Sequence, residues 1–313
     1  VTGPSIFVAY AVFSWLGFWG LYFLYKAFRI GVPDGDPKRY AVLVLLLPSM
    51  LFWPSGLGKE AWMTLGIGVF AYGVAKLFAG GSGWLLPLLL GTAATAITRP
   101  HITAALFAGL CVAFVLRRSL HPWSYLTPVA RMASVVAMVL VGLVVVHQAA
   151  DFLKVEEVSV SGFEESIDET GEATSQGGSE YDSAAVNSPT DVPLAVITVL
   201  FRPFVFEAGN AQLLVAAAEG SLLLLLAFLS LPRLRSLPGR LRRQPYLLFA
   251  GTYSLLFIYA FSNFANFGIL TRERVQVLPF ALIFLALPLV RRPADDVDTH
   301  VALPQPTVPR RAP

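Results

Sequence analysis

Nine apolar runs divide the chain, and they constrain its fold more than any other feature. The hydrocarbon core of a bilayer needs about 20 apolar helical residues, or fewer where flanking side chains reach the interface. The composition agrees, because 56% of the residues are hydrophobic and only 14% are charged. These values argue against a cytosolic enzyme, a disordered chain and a disulfide scaffold. We therefore predict an all-α, polytopic membrane protein with about nine transmembrane helices. The runs cover approximately 5–25, 40–55, 61–78, 84–98, 102–116, 132–152, 211–231, 246–262 and 275–291.

The distribution of Lys and Arg predicts the orientation of these spans. The connections at 26–39, 117–131 and 233–243 are basic, and so is the start of the C-terminal tail. Cytoplasmic loops are enriched in Lys and Arg, so these four segments belong inside. The connection at 151–193 holds eleven acidic residues and one Lys, which places it outside. The pattern predicts an external N-terminus and a cytoplasmic C-terminus.

One integral membrane domain is expected over residues 1–292. Within it, an external segment at 154–193 is rich in Glu, Ser, Gly and Thr and poor in large apolar residues. Such a segment buries too little surface to fold alone, so we expect a flexible loop. Residues 293–313 are expected to form a disordered cytoplasmic tail. The chain starts with Val, and an odd number of spans with an external N-terminus would fit missing upstream helices.

Four external loops depart from this charge pattern, because each carries basic residues beside Pro, Gly or aromatic residues. They contain Lys59 and Glu60; Arg99 and His101; Arg202, Glu207 and Asn210; and Asn266, Arg272 and Arg274. The apolar stretch at 194–206 is interrupted by Arg202 and Pro203, so we expect an interfacial or re-entrant element there rather than a span. An Arg inside an apolar stretch is costly without a partner, and broken backbone at membrane depth is tolerated mainly where it lines a cavity. The ordinary alternatives are a snorkelling Arg, a surface His, and a simple salt bridge between Arg202 and Glu207.

Two ionisable residues are expected inside the membrane. Glu219 lies about two turns into the seventh run, and His147 lies near the outer end of the sixth. Ionisable residues at such depth are functional by default. A hydrogen bond between them that stabilises helix packing is an equally good explanation.

Several Arg residues near the outer membrane surface suit a diphosphate, which guanidinium groups bind through bidentate charged hydrogen bonds. A lipid tail in the bilayer would place that diphosphate at this depth, as in a polyprenyl-diphosphate-linked glycan. The ordered loops lack acid-rich motifs for Mg²⁺, so we expect no metal and no cofactor. Arg would then neutralise the departing diphosphate. A base must accept the acceptor hydroxyl's proton, and His101 is the best placed, with Glu60 and Glu207 as alternatives.

Four motifs, in this order, resemble lipid-linked oligosaccharide repeat-unit polymerases of the O-antigen polymerase type. The motifs occupy residues 54–60, 99–101, 202–210 and 266–274, and the resemblance extends from about residue 40 to 290. It implies a bacterial, metal-independent, inverting glycosyltransferase at the outer face of the cytoplasmic membrane. It also implies that the growing glycan passes from polyprenyl diphosphate to the non-reducing end of an incoming lipid-linked unit. We expect the diphosphate to be bound by Lys59, Arg99, Arg202, Arg272 and Arg274, with Asn210, Asn266 and Glu219 as supporting residues.

The partners expected are the lipid-linked glycan, the bilayer, and a chain-length regulator or flippase. Nucleic acid is not expected, because the net charge of +3 reflects the basic loops. Three other functions remain open. A multispan glycosyltransferase that uses polyprenyl-phosphate sugars would carry an acidic pair in its first external loop, where only Glu60 stands beside Lys59. A transporter or flippase needs a continuous polar path, but only Glu219 lies deep. A structural subunit without activity is the third.

Overall fold

The computed structural model describes residues 5–117, 188–241 and 243–289, together with residues 181, 184 and 186. All regular secondary structure in these residues is helical, and no strand occurs among them. The all-α prediction is therefore confirmed for this part of the chain. The expected span at 132–152, His147, most of the acidic loop at 154–193 and the tail at 293–313 lie outside the described residues.

Thirteen α-helices occur in the described ranges. The first six are α1 (Ile6–Gly31), α2 (Pro37–Leu46), α3 (Pro48–Ser55), α4 (Lys59–Phe78), α5 (Leu85–Thr98) and α6 (Pro100–Leu116). The others are α7 (Val192–Phe201), α8 (Ala211–Leu229), α9 (Leu231–Leu234), α10 (Leu237–Leu241), α11 (Pro245–Phe261), α12 (Phe267–Glu273) and α13 (Leu278–Leu285). Two 3₁₀ turns, Val205–Glu207 and Arg274–Gln276, precede α8 and α13.

Three of these helices, α1, α4 and α8, are long and apolar enough to cross a membrane. The apolar helices α5, α6, α7 and α11 are shorter, with 10–17 residues each. Helix α1 also leaves large apolar side chains exposed, including Phe7 at 80% and Trp15 at 60%. Such a surface is compatible with contact to lipid. The described helices thus fit a membrane protein, and the count of nine spans stays a prediction.

Two of the predicted runs do not form one continuous helix each. The run at 40–55 forms two helices, because Pro48 cannot donate a backbone hydrogen bond and disfavours helical backbone at Leu47. The run at 275–291 contains the shorter helix α13, which starts after a 3₁₀ turn with Pro279 in its first turn. The predicted interruption before Pro203 is confirmed, since α7 ends at Phe201.

Helix α4 occupies the centre of the packed helices, where small residues allow its neighbours to approach closely. A Cβ atom on Gly68 would lie 2.2 Å from the carbonyl oxygen of Gly20 in α1. A Cβ on Gly91 of α5 would lie 2.4 Å from the backbone nitrogen of Phe70 in α4. These contacts fix α4 between α1 and α5. Its first turn, which contains Lys59 and Glu60, consequently lies near the turn between α5 and α6.

Candidate functional site

A buried ion-pair network joins three segments that are far apart in the sequence. Glu60, 5% exposed in the first turn of α4, accepts a hydrogen bond from Arg272 Nε at 2.6 Å. Arg99, 7% exposed in the α5–α6 turn, places Nη2 at 3.5 Å from Glu60 Oε1. Nη2 of Arg99 also donates to Glu273 Oε1 at 2.6 Å, and its Nη1 pairs with the other oxygen. We call these four residues the Glu60 network.

Local sequence explains how each segment reaches the Glu60 network. Gly58 precedes α4, and a Cβ atom there would lie 2.5 Å from Glu60 Oε2, so a larger residue would collide with the carboxylate. Pro100 begins α6 at the position where proline is best tolerated, and this leaves Arg99 extended between two helices. The Asn266 side chain accepts from Gly268 N at 2.9 Å and caps α12. Arg272 and Glu273 follow at the end of that short helix.

The edge of the Glu60 network is partly open. The Arg272 side chain is 40% exposed, whereas the Glu60 side chain is 5% exposed. Lys59 is exposed and lines a cavity of about 570 Å³ together with Phe13 and Trp62. His101 is half-buried in the first turn of α6, where burial, and then the positive charges of Arg99 and Lys59, lower the pKa of its imidazole to about 4. The network itself pairs two guanidinium groups with two carboxylates, so Lys59 adds the surplus positive charge at this edge.

A second group of predicted residues forms a local turn. Arg202 Nε donates to the two Glu207 oxygens at 2.9 and 3.2 Å, and we call residues 202–207 the Arg202 turn. Glu207 Oε2 also accepts from Phe204 N at 2.7 Å. The guanidinium carbon lies 4.7 Å from the Tyr181 ring centre and 5.2 Å from that of Phe267. Burial raises the pKa of Glu207, but hydrogen bonds from Arg202 and Phe204 N outweigh it and hold that pKa below its usual value.

Arg274 faces a third environment, away from the Glu60 network. Its side chain is fully buried, and Nη1 donates to the carbonyl oxygens of Leu200 and Arg202 at 3.1 and 3.0 Å. Glu219, 4% exposed in α8, is the carboxylate whose charge acts on Arg274. Glu219 accepts from the Ser49 backbone nitrogen at 2.7 Å and from its hydroxyl at 2.5 Å. Arg272 and Arg274 therefore point into different groups although they are two residues apart.

The structure thus divides the predicted residues among three environments and two helix caps. The first environment brings together Glu60, Arg99 and Arg272, with Lys59 and His101 beside them. In the second, Arg202 pairs with Glu207, and in the third, Arg274 lies near Glu219. The Asn210 side chain accepts from Leu213 N at 2.8 Å and caps α8, as Asn266 caps α12. Whether any of these residues is catalytic stays a prediction.

Sequence reasoning assigned no role to Glu273 or to Gln276, which donates to Glu273 Oε2 at 2.6 Å. The available signal was the position of Glu273 between two Arg residues, with an amide three residues later on a helical turn. Among the described residues, no group of three or more His, Cys, Asp or Glu could hold a metal ion.

No protein-family model, no curated protein and no solved structure matches this chain.

Proposed function

We propose that this protein is a glycosyltransferase of the cytoplasmic membrane that joins oligosaccharide units carried on polyprenyl diphosphate. The observation that carries the proposal is the meeting of Arg99 and Arg272, from two separate turns, at Glu60. Lys59 and His101 stand beside them. In the predicted arrangement of about nine spans with the N-terminus outside, both turns lie at the outer face.

The donor diphosphate binds at the open edge of the Glu60 network. Arg272 holds Glu60 through Nε, so its terminal nitrogens remain for a bidentate contact with phosphate oxygens. Exposed Lys59 adds a second positive charge at the same edge. Arg99 is enclosed by Glu60 and Glu273, and it fixes the position of Glu60 rather than touching the substrate.

In the transfer step, the bond between the anomeric carbon of the donor glycan and the diphosphate oxygen breaks. The bonding electrons leave with the polyprenyl diphosphate, and Arg272 and Lys59 stabilise the added negative charge. A hydroxyl of the acceptor glycan forms the new bond from the opposite face, with inversion, and its proton passes to His101. Glu60 and Glu207 are engaged by Arg272 and Arg202, whereas the lowered pKa of His101 keeps its imidazole neutral at pH 7 and able to accept a proton.

Arg272→Ala tests diphosphate binding, because this side chain is accessible and Glu60 keeps Arg99 as a partner. We expect polymer to fall by about 100-fold or more in cells that carry the variant as their sole copy, with normal amounts of protein in the membrane. Arg235→Ala is the matched control, because Arg235 is exposed and lies outside the site. Polymer of unchanged length and amount in Arg272→Ala would contradict the proposal.

His101→Asn separates proton transfer from donor binding. The variant should lose polymer yet retain polyprenyl diphosphate lipid in native mass spectra of the purified protein, whereas Arg272→Ala should lose both. Full activity in His101→Asn would exclude this base.

Treatment with a chelator tests whether the glycosyl transfer step requires a metal ion. Because guanidinium and ammonium groups neutralise the leaving group in this mechanism, EDTA should leave polymer formation in isolated membranes unchanged. Loss of polymer that Mg²⁺ or Mn²⁺ restores would overturn the metal-independent mechanism.

A further inference from the structure

A cavity of about 470 Å³ opens between α3 and α8 and is also lined by Thr271 of α12, and none of its lining residues belongs to the Glu60 network. This volume lies within the range of small-molecule sites, about 300–1,000 Å³. Its walls are mostly apolar and include Pro48, Phe52, Trp53, Val215 and Ala216. Its polar lining includes Ser49, Glu219, Thr271 and Arg274. The cavity therefore combines an apolar passage with a small polar end.

Arg274 is the unusual group at this polar end. Its side chain is 0% exposed, and only Nη1 is engaged, by the carbonyl oxygens of Leu200 and Arg202. Within the described ranges, Nε and Nη2 have no hydrogen-bond partner, and none of the ion pairs there includes Arg274. Buried donors without partners cost free energy, and charged donors cost more than neutral ones. A ligand with an anionic oxygen would satisfy them.

Glu219 does not supply that partner. Both of its oxygens accept hydrogen bonds from Ser49, at the first turn of α3. The positive end of the helix dipole also stabilises a carboxylate at this place. Glu219 thus offsets the charge of Arg274 from a distance while leaving the Nε and Nη2 protons unpaired.

The mouth of the cavity indicates what carries the anionic group. Phe52 is 62% exposed and Val215 is 59% exposed, and both line the cavity. Leu51 and Leu214 beside them are also about half exposed, at 48% and 49%. Helix α8 is itself long and apolar enough to cross a membrane. An alkyl chain could leave the cavity along this surface and stay out of water.

We propose that the cavity binds a single-chain anionic amphiphile, with a phosphate or carboxylate head on Arg274 and its chain between Phe52 and Val215. A charged guanidinium can hold either head through paired hydrogen bonds. This site is separate from the Glu60 network, so the proposal goes beyond glycosyl transfer and does not depend on it.

Dodecyl phosphate is the probe, and native mass spectrometry of the purified full-length protein in a neutral detergent measures its binding. We expect one bound molecule, displaced by dodecanoate. Dodecanol matches the chain without the charge, and inorganic phosphate supplies the charge without the chain. Both should bind about tenfold more weakly or worse. If dodecanol bound as tightly as dodecyl phosphate, the site would be an apolar groove that does not recognise charge. If inorganic phosphate competed as well as dodecanoate, the site would bind free anions without recognising a chain. Either result overturns the proposal.

Two substitutions on one helix provide the matched test. Ala216 lines the cavity, so Ala216→Phe should fill it and weaken dodecyl phosphate binding by about tenfold or more. Ala218 is exposed on the same helix and does not line the cavity, so Ala218→Phe should bind like the unsubstituted protein. Arg274→Gln should lose the preference for phosphate over dodecanol. Arg274 also donates to two carbonyl groups, so Arg274→Gln could fail to fold. In that case, the comparison of Ala216→Phe with Ala218→Phe tests whether the cavity is the binding site. Unchanged binding in Ala216→Phe would refute the site.

Discussion

The Glu60 network and the Arg202 turn contain the same pairing of Arg with Glu, yet their surroundings differ. In the Glu60 network, the hydrogen-bonded partners are 39, 174 and 212 residues apart, and the Arg99, Glu60 and Glu273 side chains are at most 9% exposed. In the Arg202 turn, the partners are five residues apart, with side chains 19% and 16% exposed. The first pairing depends on the whole fold, and the second depends on one turn.

This difference determines what each pairing contributes to stability. Removing one member of a buried pair leaves an uncompensated charge away from water, which costs far more than the intact pair contributes. Near the surface, water replaces much of a lost ionic contact. The three buried members of the Glu60 network, Arg99, Glu60 and Glu273, should therefore be intolerant of single substitutions, whereas the exposed Arg272 and the Arg202 turn should be tolerant. Three measurements test this contrast.

Arg99→Ala should have the largest effect. It removes the bidentate partner of Glu273 and one partner of Glu60, both buried. We expect the free energy of unfolding to fall by about 3–5 kcal/mol, measured as a lower melting temperature of the purified protein in detergent. Arg99→Met with Glu273→Met removes both charges and should recover much of this loss. A single Arg99→Ala variant that melts like the unsubstituted protein would mean that water reaches the network.

Arg202→Ala should have a smaller effect. It removes a half-buried ion pair and the stacking of the guanidinium on Tyr181 and Phe267. The expected loss is about 1 kcal/mol, and it should shrink as salt screens the ionic part. Arg202→Lys keeps the charge but not the planar fork, so it should recover only part of the loss. If Arg202→Ala lowered the free energy of unfolding as much as Arg99→Ala, solvent exposure would not explain the difference in stability between the two regions.

The contrast also explains what could be predicted from the sequence. The interruption before Pro203 and the pairing of Arg202 with Glu207 are local, and both were accessible from residue types and spacing. The break at Pro48 had an equally local signal, but the apolar run around it favoured one continuous span. For such features, neighbouring residues determine the outcome.

The Glu60 network had no comparable signal. The charge pattern predicts that residues 59–60, 99–101 and 272–274 lie on the same side of the membrane. This prediction limits which residues can meet, but it does not specify which side chains are in contact. Which guanidinium meets which carboxylate depends on how α4, α5 and α12 pack. For the same reason, the sequence could not predict that Arg272 and Arg274 lie in different surroundings. Their different surroundings arise where α12 gives way to a 3₁₀ turn between α4 and α7.

Acid should produce the smallest effect, and it should act on the Arg202 turn. The pKa of Glu207 lies below its ordinary value of 4.5, because the hydrogen bonds from Arg202 and Phe204 N outweigh burial. Its contribution to stability is therefore complete above about pH 5 and disappears as the pH falls through the lowered pKa. The difference in melting temperature between the unsubstituted protein and Glu207→Gln should shrink across that interval, corresponding to about 1 kcal/mol or less. Since Gln cannot titrate, a difference that stays constant from pH 7 to pH 3 would show that the ion pair does not form in solution. A difference that shrinks would identify the Arg202 turn as a pairing that acid breaks locally.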